Sequence, residues 1–219
     1  MMKQRNRLFL LVFIFLIPGM AAALQFKPLP AMDQELCESE PGLVCVALLA
    51  SGEIKSGDLE TLQSEVQRAS TFKGLRIGEI WLDSLGGDVR EAMRLGRYIR
   101  SQQLGTIVTR DSTCGSACVL IYAAGVKRVP TGPIIIHSFY SKEFEGTGNL
   151  RAAEKKYDEM ASEIELYLRE MRITKNLLDR MMSIPHFHKK TLSIDEMEEL
   201  GLIGYDPVYA QVRKKKSKP

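Results

Sequence analysis

The chain has 219 residues, 45% hydrophobic and 26% charged, with a formal charge of +3 and a mean hydropathy of −0.10. That balance suits one folded domain and excludes a disordered chain, a collagen-like repeat and a polytopic membrane protein. No internal repeat and no long low-complexity linker interrupts it.

At the N-terminus Lys3, Arg5 and Arg7 precede an unbroken apolar run from Leu8 to Ile17. Pro18-Gly19 breaks the run, and Ala21-Ala22-Ala23 supplies small residues for cleavage. These are the three parts of a secretory signal peptide, so residues 1–23 are expected to be removed and the rest to be periplasmic or secreted. The apolar run falls short of the roughly 20 residues of a membrane-spanning helix. An uncleaved membrane anchor is the alternative. Residues 1–23 carry three basic and no acidic side chains, so the remaining chain holds 27 of each sign and is neutral. A neutral body offers no general field for nucleic acid, and no nucleic-acid partner is expected.

All four cysteines follow that segment, and an even number in an oxidising compartment points to disulfides. Cys37 and Cys45 flank the Pro41-Gly42 turn and form the first expected pair; Cys114 and Cys118 form the second. Two cysteines at that second spacing in a regular helix would lie too far apart, so the chain must bend at Gly115 for the bridge to close. Two buried, unbridged thiols are the alternative. No zinc-type Cys/His spacing is present, and no metal is expected.

Residues 24–42 read as an N-terminal extension, residues 43–208 as an α/β domain. Leu43–Leu49 is an apolar strand, and Ser56–Arg68 a helix with Leu59, Leu62 and Val66 on one face. Ile77–Leu82 is a second strand, ending on Asp83-Ser84-Leu85-Gly86-Gly87-Asp88. Val89–Gln103 is a helix, Thr106–Arg110 a third strand, and Val119–Gly125 a buried helix. Pro133–Phe139 is a fourth strand, and Arg151–Arg172 a long charged helix with a stripe at Met160, Ile164, Tyr167, Leu168 and Met171. Leu177–Met182 is a short helix, and Ser193 opens a last one that closes at Gly201. Residues 209–219 form a basic tail (Arg213, Lys214, Lys215, Lys216, Lys218), read as solvated; weak contact with an anionic membrane is the sharper alternative. Alternating strands and helices predict a mainly parallel sheet, whose ligand site lies beyond the strands' carboxyl ends.

Two junctions sit there. In Cys114-Gly115-Ser116-Ala117-Cys118 a serine occupies a small-residue turn between strand and helix, its Oγ exposed and its amide near the helix's positive end. His137 closes a nearby apolar strand, in place to take the serine's proton. Gly86-Gly87 allows close backbone approach, and Asp88 caps the helix that follows. Together with the Ala117 N–H this loop offers a two-donor oxyanion hole. It matches neither the dinucleotide nor the P-loop glycine pattern, so no cofactor is expected. His186 and His188 form an H-x-H pair with no third metal ligand at a telling spacing.

Across roughly 43–208 the chain resembles the Clp protease proteolytic subunit and, more broadly, the Clp/crotonase superfamily. The carrying blocks are Leu82-Asp83-Ser84-Leu85-Gly86-Gly87-Asp88-Val89, Cys114-Gly115-Ser116-Ala117-Cys118 and Ala123-Ala124-Gly125. They continue with Lys127-Arg128, Ile135-Ile136-His137, and Leu192-Ser193 leading to Glu199-Leu200-Gly201-Leu202-Ile203. The resemblance implies a spiral of βαβ units, with Ser116 as nucleophile, His137 as general base, and Gly87 and Ala117 as oxyanion-hole amides. It makes Gly86-Gly87 a wall of a groove in which an extended peptide adds as a strand, and the Arg151 helix an oligomerisation element. The cysteine-flanked serine resembles an exported branch, away from the ATP-driven unfoldase of the cytosolic relatives. The family's third catalytic residue, an aspartate before Leu192-Ser193, is missing, and His188 or Lys189 stands there. A Ser/His dyad, a carboxylate from Asp111 or Asp179, a serine–lysine pair through Lys189, and loss of activity all remain open. The functions to weigh are an ATP-independent serine peptidase acting on peptides or unfolded segments, a non-catalytic binding or assembly module, and acyl-CoA chemistry on the crotonase version of the fold. Export away from CoA pools argues against the last.

Overall fold

The computed structural model describes residues 23–32, 42–139 and 150–216. Residues 1–22 of the expected signal segment and Cys37 lie outside them. The elements are β1 (Gln25–Pro30), β2 (Val44–Ser51), α1 (Asp58–Ser70), β3 (Leu75–Asp83), α2 (Val89–Ser101), β4 (Gly105–Val108), β5 (Cys114–Gly115) and α3 (Cys118–Ala123). There follow β6 (Lys127–Pro130), β7 (Ile134–Ile136), α4 (Leu150–Glu170), α5 (Asn176–Met182), β8 (Lys190–Thr191), α6 (Ile194–Glu199), β9 (Gly204–Tyr205) and α7 (Pro207–Lys216).

The apolar runs of β2, β3 and β4 and the short β6 pair in parallel, as alternation with helices dictates, in register at Ala50↔Leu82, Ile80↔Thr106 and Ile107↔Val129. Antiparallel β1 and β9 complete the sheet in the order β1-β2-β3-β4-β6-β9. A second, three-stranded sheet runs β5-β7-β8. The fold is thus mixed α/β with a largely parallel main sheet, as expected.

Several boundaries differ from the sequence reading, each for a physical reason. Residues 25–30, expected within an extension, pair with β2. Pro28 and Pro30 conceal the strand, and prolines are tolerated there because β1 is an edge. The strand expected over 133–139 spans only Ile134–Ile136, so His137 stands just beyond it. The basic tail begins as α7, with Pro207 in its first turn and the Asp206 carboxylate accepting from the Val208 and Tyr209 amides at 3.0 Å each. Among the described residues no helix is long and apolar enough to cross a membrane.

The core gathers Leu48, Ile80, Leu82, Leu95, Ile99, Leu120, Ile121 and Ile134 between sheet and helices. Helix α4 is tied in by Tyr167, whose hydroxyl donates to the Leu120 carbonyl at 2.6 Å. Gly96 on α2 leaves room for that ring; a Cβ there would fall 1.8 Å from the Tyr167 oxygen. Buried Arg128 donates to the carbonyls of Ala123, Gly201 and Met171, at or just beyond the ends of α3, α6 and α4. One cation thereby serves the negative ends of three helices.

Candidate active site

Strand β3 leaves the main sheet at Asp83, and its next residue joins the small sheet. The Ser84 N–H donates to Thr113 O at 2.8 Å and its carbonyl accepts from Gly115 N–H at 2.9 Å. On the other side, Cys114 N–H donates to Pro133 O at 3.1 Å and Ser116 N–H to Ile135 O at 2.9 Å. Residues 114–116 are therefore clamped between Ser84 and β7. The chain then reverses at Ser116, which adopts a left-handed φ of 56°, an uncommon conformation for a residue with a Cβ. Cys118 starts α3 directly afterwards. This sharp turn brings the Cys114 and Cys118 Cα atoms to 5.3 Å, and a disulfide joins them. The bend needed for the second expected pair is thus present, and both cysteines are fully buried. Cys45 is disulfide-bonded as well; its expected partner Cys37 lies outside the described residues.

The Gly86-Gly87 loop lies against this turn. Gly86 has φ 108° and Gly87 φ 144°. A Cβ on Gly86 would fall 2.7 Å from Ser116 Cβ and 3.0 Å from Ala117 N, and one on Gly87 would fall 2.2 Å from Ile54 O. Buried Ile54 holds the loop from behind: its N–H donates to Gly86 O, and its carbonyl accepts from Asp88 N–H, both at 2.9 Å. Asp88 then caps α2 by accepting from Glu91 N–H at 2.8 Å. Among the described residues neither the Gly87 nor the Ala117 amide donates a hydrogen bond, so both stay unengaged in the loop and turn that meet at Gly86 and Ser116. The role of Ile54 has no sequence signature, because it is exerted by the main chain.

Leu85, Gly115, Ser116, Ile135, His137 and Lys189 line one narrow cleft of about 20 Å³. It adjoins a groove of about 500 Å³ bounded by Gly52, Glu53, Asp83, Ser84, Leu85, Gly86 and Gly87. Leu85, 70% exposed, forms the lip between the two. His137 is half-buried, and its Nδ1 lies 2.7 Å from the Ser138 carbonyl oxygen. A carbonyl can only accept, so Nδ1 carries the hydrogen and Nε2 of the neutral ring holds the lone pair. The backbone on the other side of Ser138 is anchored, its N–H donating to Ile184 O at 2.8 Å. Among the described residues no hydrogen bond joins Ser116 Oγ to His137, although the two share the cleft.

The register of the small sheet decides which residue stands where the aspartate was expected. Strands β7 and β8 pair as Ile135↔Thr191 and Ile136↔Lys190; carried one residue past both strands, that register brings His137 level with Lys189. Lys189 borders the cleft; His188 does not. Asp111 and Asp179 are both exposed and neither lines the cleft. His186 and His188 are exposed too, and among the described residues no three His, Cys, Asp or Glu side chains form a metal-binding cluster.

These elements define a Clp-protease-like α/β fold with a serine at its strand-to-helix turn. Among solved structures, a point mutant of ClpP1 from Listeria monocytogenes is similar over 72% of this chain and 88% of its own, with a TM-score of 0.54 and 18% identity. A peptidase from Plasmodium falciparum is similar over 72% of this chain and 92% of its own, with a TM-score of 0.52 and 13% identity. At these identities the likeness establishes the fold. No protein-family model and no curated protein matches the sequence.

Proposed function

We propose that the chain is an exported, ATP-independent serine peptidase that cleaves peptides or unfolded segments through an acyl-enzyme on Ser116. The observation that carries this reading is the junction itself: a left-handed serine followed by the unengaged Ala117 amide and packed against the Gly86-Gly87 loop, sharing a cleft with a histidine whose Nε2 is free to accept. Ser116 Oγ attacks the scissile carbonyl and passes its proton to His137 Nε2. The oxyanion is held by the Gly87 and Ala117 amides. The imidazolium then protonates the leaving amine, and water activated by the same Nε2 releases the acyl group. In a carboxylate-containing triad the acid fixes the histidine tautomer. In this reading the Ser138 carbonyl takes over that task but brings no negative charge to stabilise the imidazolium, so turnover is slow.

The Gly86-Gly87 groove is the expected seat of the extended substrate. A periplasmic or secreted location, a homo-oligomeric assembly and independence from an ATPase belong to the same proposal. That no carboxylate lines the cleft among the described residues favours a second reading, a binding or assembly module that retains the fold without turnover. Labelling of the oxidised mature protein with a fluorophosphonate probe separates the two. Labelling that disappears in both Ser116→Ala and His137→Ala supports the peptidase; a folded wild type that takes no label supports the module.

A further inference from the structure

Lys189 and His137 each stand one residue beyond the β7–β8 pair Ile136↔Lys190, where continuing the register brings them level, and residues level across such a pair project from the same face. Both side chains accordingly reach the cleft that holds Ser116. The neighbouring lysine is already engaged, since the Lys190 ammonium pairs with the Glu196 carboxylate. Among the described residues Lys189 has no hydrogen bond or ion pair, and none of those lining the cleft is a carboxylate. An exposed cation with no counter-charge among the described residues therefore borders the cleft that holds the nucleophile. Proton transfer to His137 would place a second positive charge opposite it, which a neutral substrate does nothing to relieve. A substrate carboxylate bound to Lys189 supplies the missing negative charge.

We propose that Lys189 forms a carboxylate-binding subsite beside Ser116. It recognises peptides bearing an acidic side chain, or a free C-terminal carboxylate, next to the peptide unit seated at the serine. The position of the cleaved bond rests on the peptidase reading; the recognition of a carboxylate does not. Binding is measured on the mature, oxidised Ser116→Ala protein by fluorescence anisotropy with labelled hexapeptides of otherwise identical sequence. One carries a central Glu and an amidated C-terminus, one a central Gln and an amidated C-terminus, one a central Gln and a free C-terminus, and one a central Lys and an amidated C-terminus.

The expected result is that at least one carboxylate-bearing peptide binds about 10-fold more tightly than the amidated Gln peptide, as a charge-assisted contact implies. The difference shrinks at high salt, disappears in Lys189→Met and shifts toward the Lys peptide in Lys189→Glu. Whether the Glu peptide or the free-C-terminus peptide carries the preference identifies the source of the carboxylate. Equal affinity for all peptides, no binding of any, or a preference that survives Lys189→Met overturns the subsite. Fluorophosphonate labelling of the wild type in parallel keeps the two ideas apart. A carboxylate preference without labelling leaves the subsite standing and removes the hydrolysis; labelling without a preference does the reverse.

Discussion

A methyl group at residue 87 would press against the Ile54 carbonyl at 2.2 Å, and φ there is 144°. Gly87→Ala must therefore displace the loop, at a cost of about 2 kcal/mol or more once the left-handed penalty and the clash are combined. The expected outcome is a lowered urea midpoint together with loss of fluorophosphonate labelling, because the Gly87 amide moves with the loop. Lys189 allows a change in the opposite direction. Lys189→Asp sets a carboxylate opposite His137, where a triad acid contributes up to about 10⁴ in rate. Turnover of a neutral peptide should rise by roughly 10-fold or more, read as kcat/KM. A variant no faster than wild type would show that a carboxylate at position 189 does not support the His137 ring. The sequence already exposed much at this scale, since Ser116, Ala117, His137 and the two glycines stand in motifs. It left Lys189 and His188 undivided, because only strand register says which of two adjacent side chains faces the cleft. The Ser138 carbonyl was invisible, since its contribution is made by the backbone.

Among the elements, the turn from β5 into α3 is the most constrained. Its disulfide spans a short loop, and loop-closure entropy assigns such a bridge about 2 kcal/mol. The Cys114→Ala/Cys118→Ala double variant should lose about that much in chemical denaturation. It should also label more slowly in its folded state, because Ser116 no longer has its left-handed turn held from both sides. Elements differ in how openly the sequence declares them. α2 and α4 are long enough for helical spacing to stand out, and β2 and β3 are long apolar runs. β5, β8 and β9 span two residues each, too few for any alternation, yet β5 and β8 build the small sheet around the site. Their existence follows from tertiary pairing rather than local preference.

For the molecule as a whole, Asp206 fastens the C-terminal segment to the body. Its fully buried carboxylate meets Arg100 at 2.6 Å and Arg172 at 2.9 Å and caps α7. Burial by itself raises its pKa, but the Tyr209 amide, Arg100 and Arg172 outweigh that and hold it below the usual carboxylate value. A depressed pKa in the folded state means stabilisation that is complete at neutral pH and lost as pH falls from about 4 through the folded value. Asp206→Asn should cost about 3 kcal/mol at pH 7, since Arg100 keeps its burial and loses its counter-charge. The gap between wild type and variant should narrow toward pH 3, as urea midpoints at the two pH values would record.

Because Ser84, the residue directly after β3, bridges to Cys114 of the small sheet, the two sheets are tied together at that point and cannot slide past each other while its hydrogen bonds last. The serine wall of the cleft is consequently as rigid as the core. The opposite wall rests on the two-residue strand β8 and the exposed stretch from Pro185 to Lys189. Breathing of the cleft is thus one-sided, and hydrogen exchange should report it. The Ser84, Gly115 and Ser116 amides should exchange only on global unfolding, while the amides of residues 186–189 should exchange orders of magnitude faster. A guest entering this cleft would meet a fixed jaw and a yielding one, and selectivity would be set by how the yielding jaw closes.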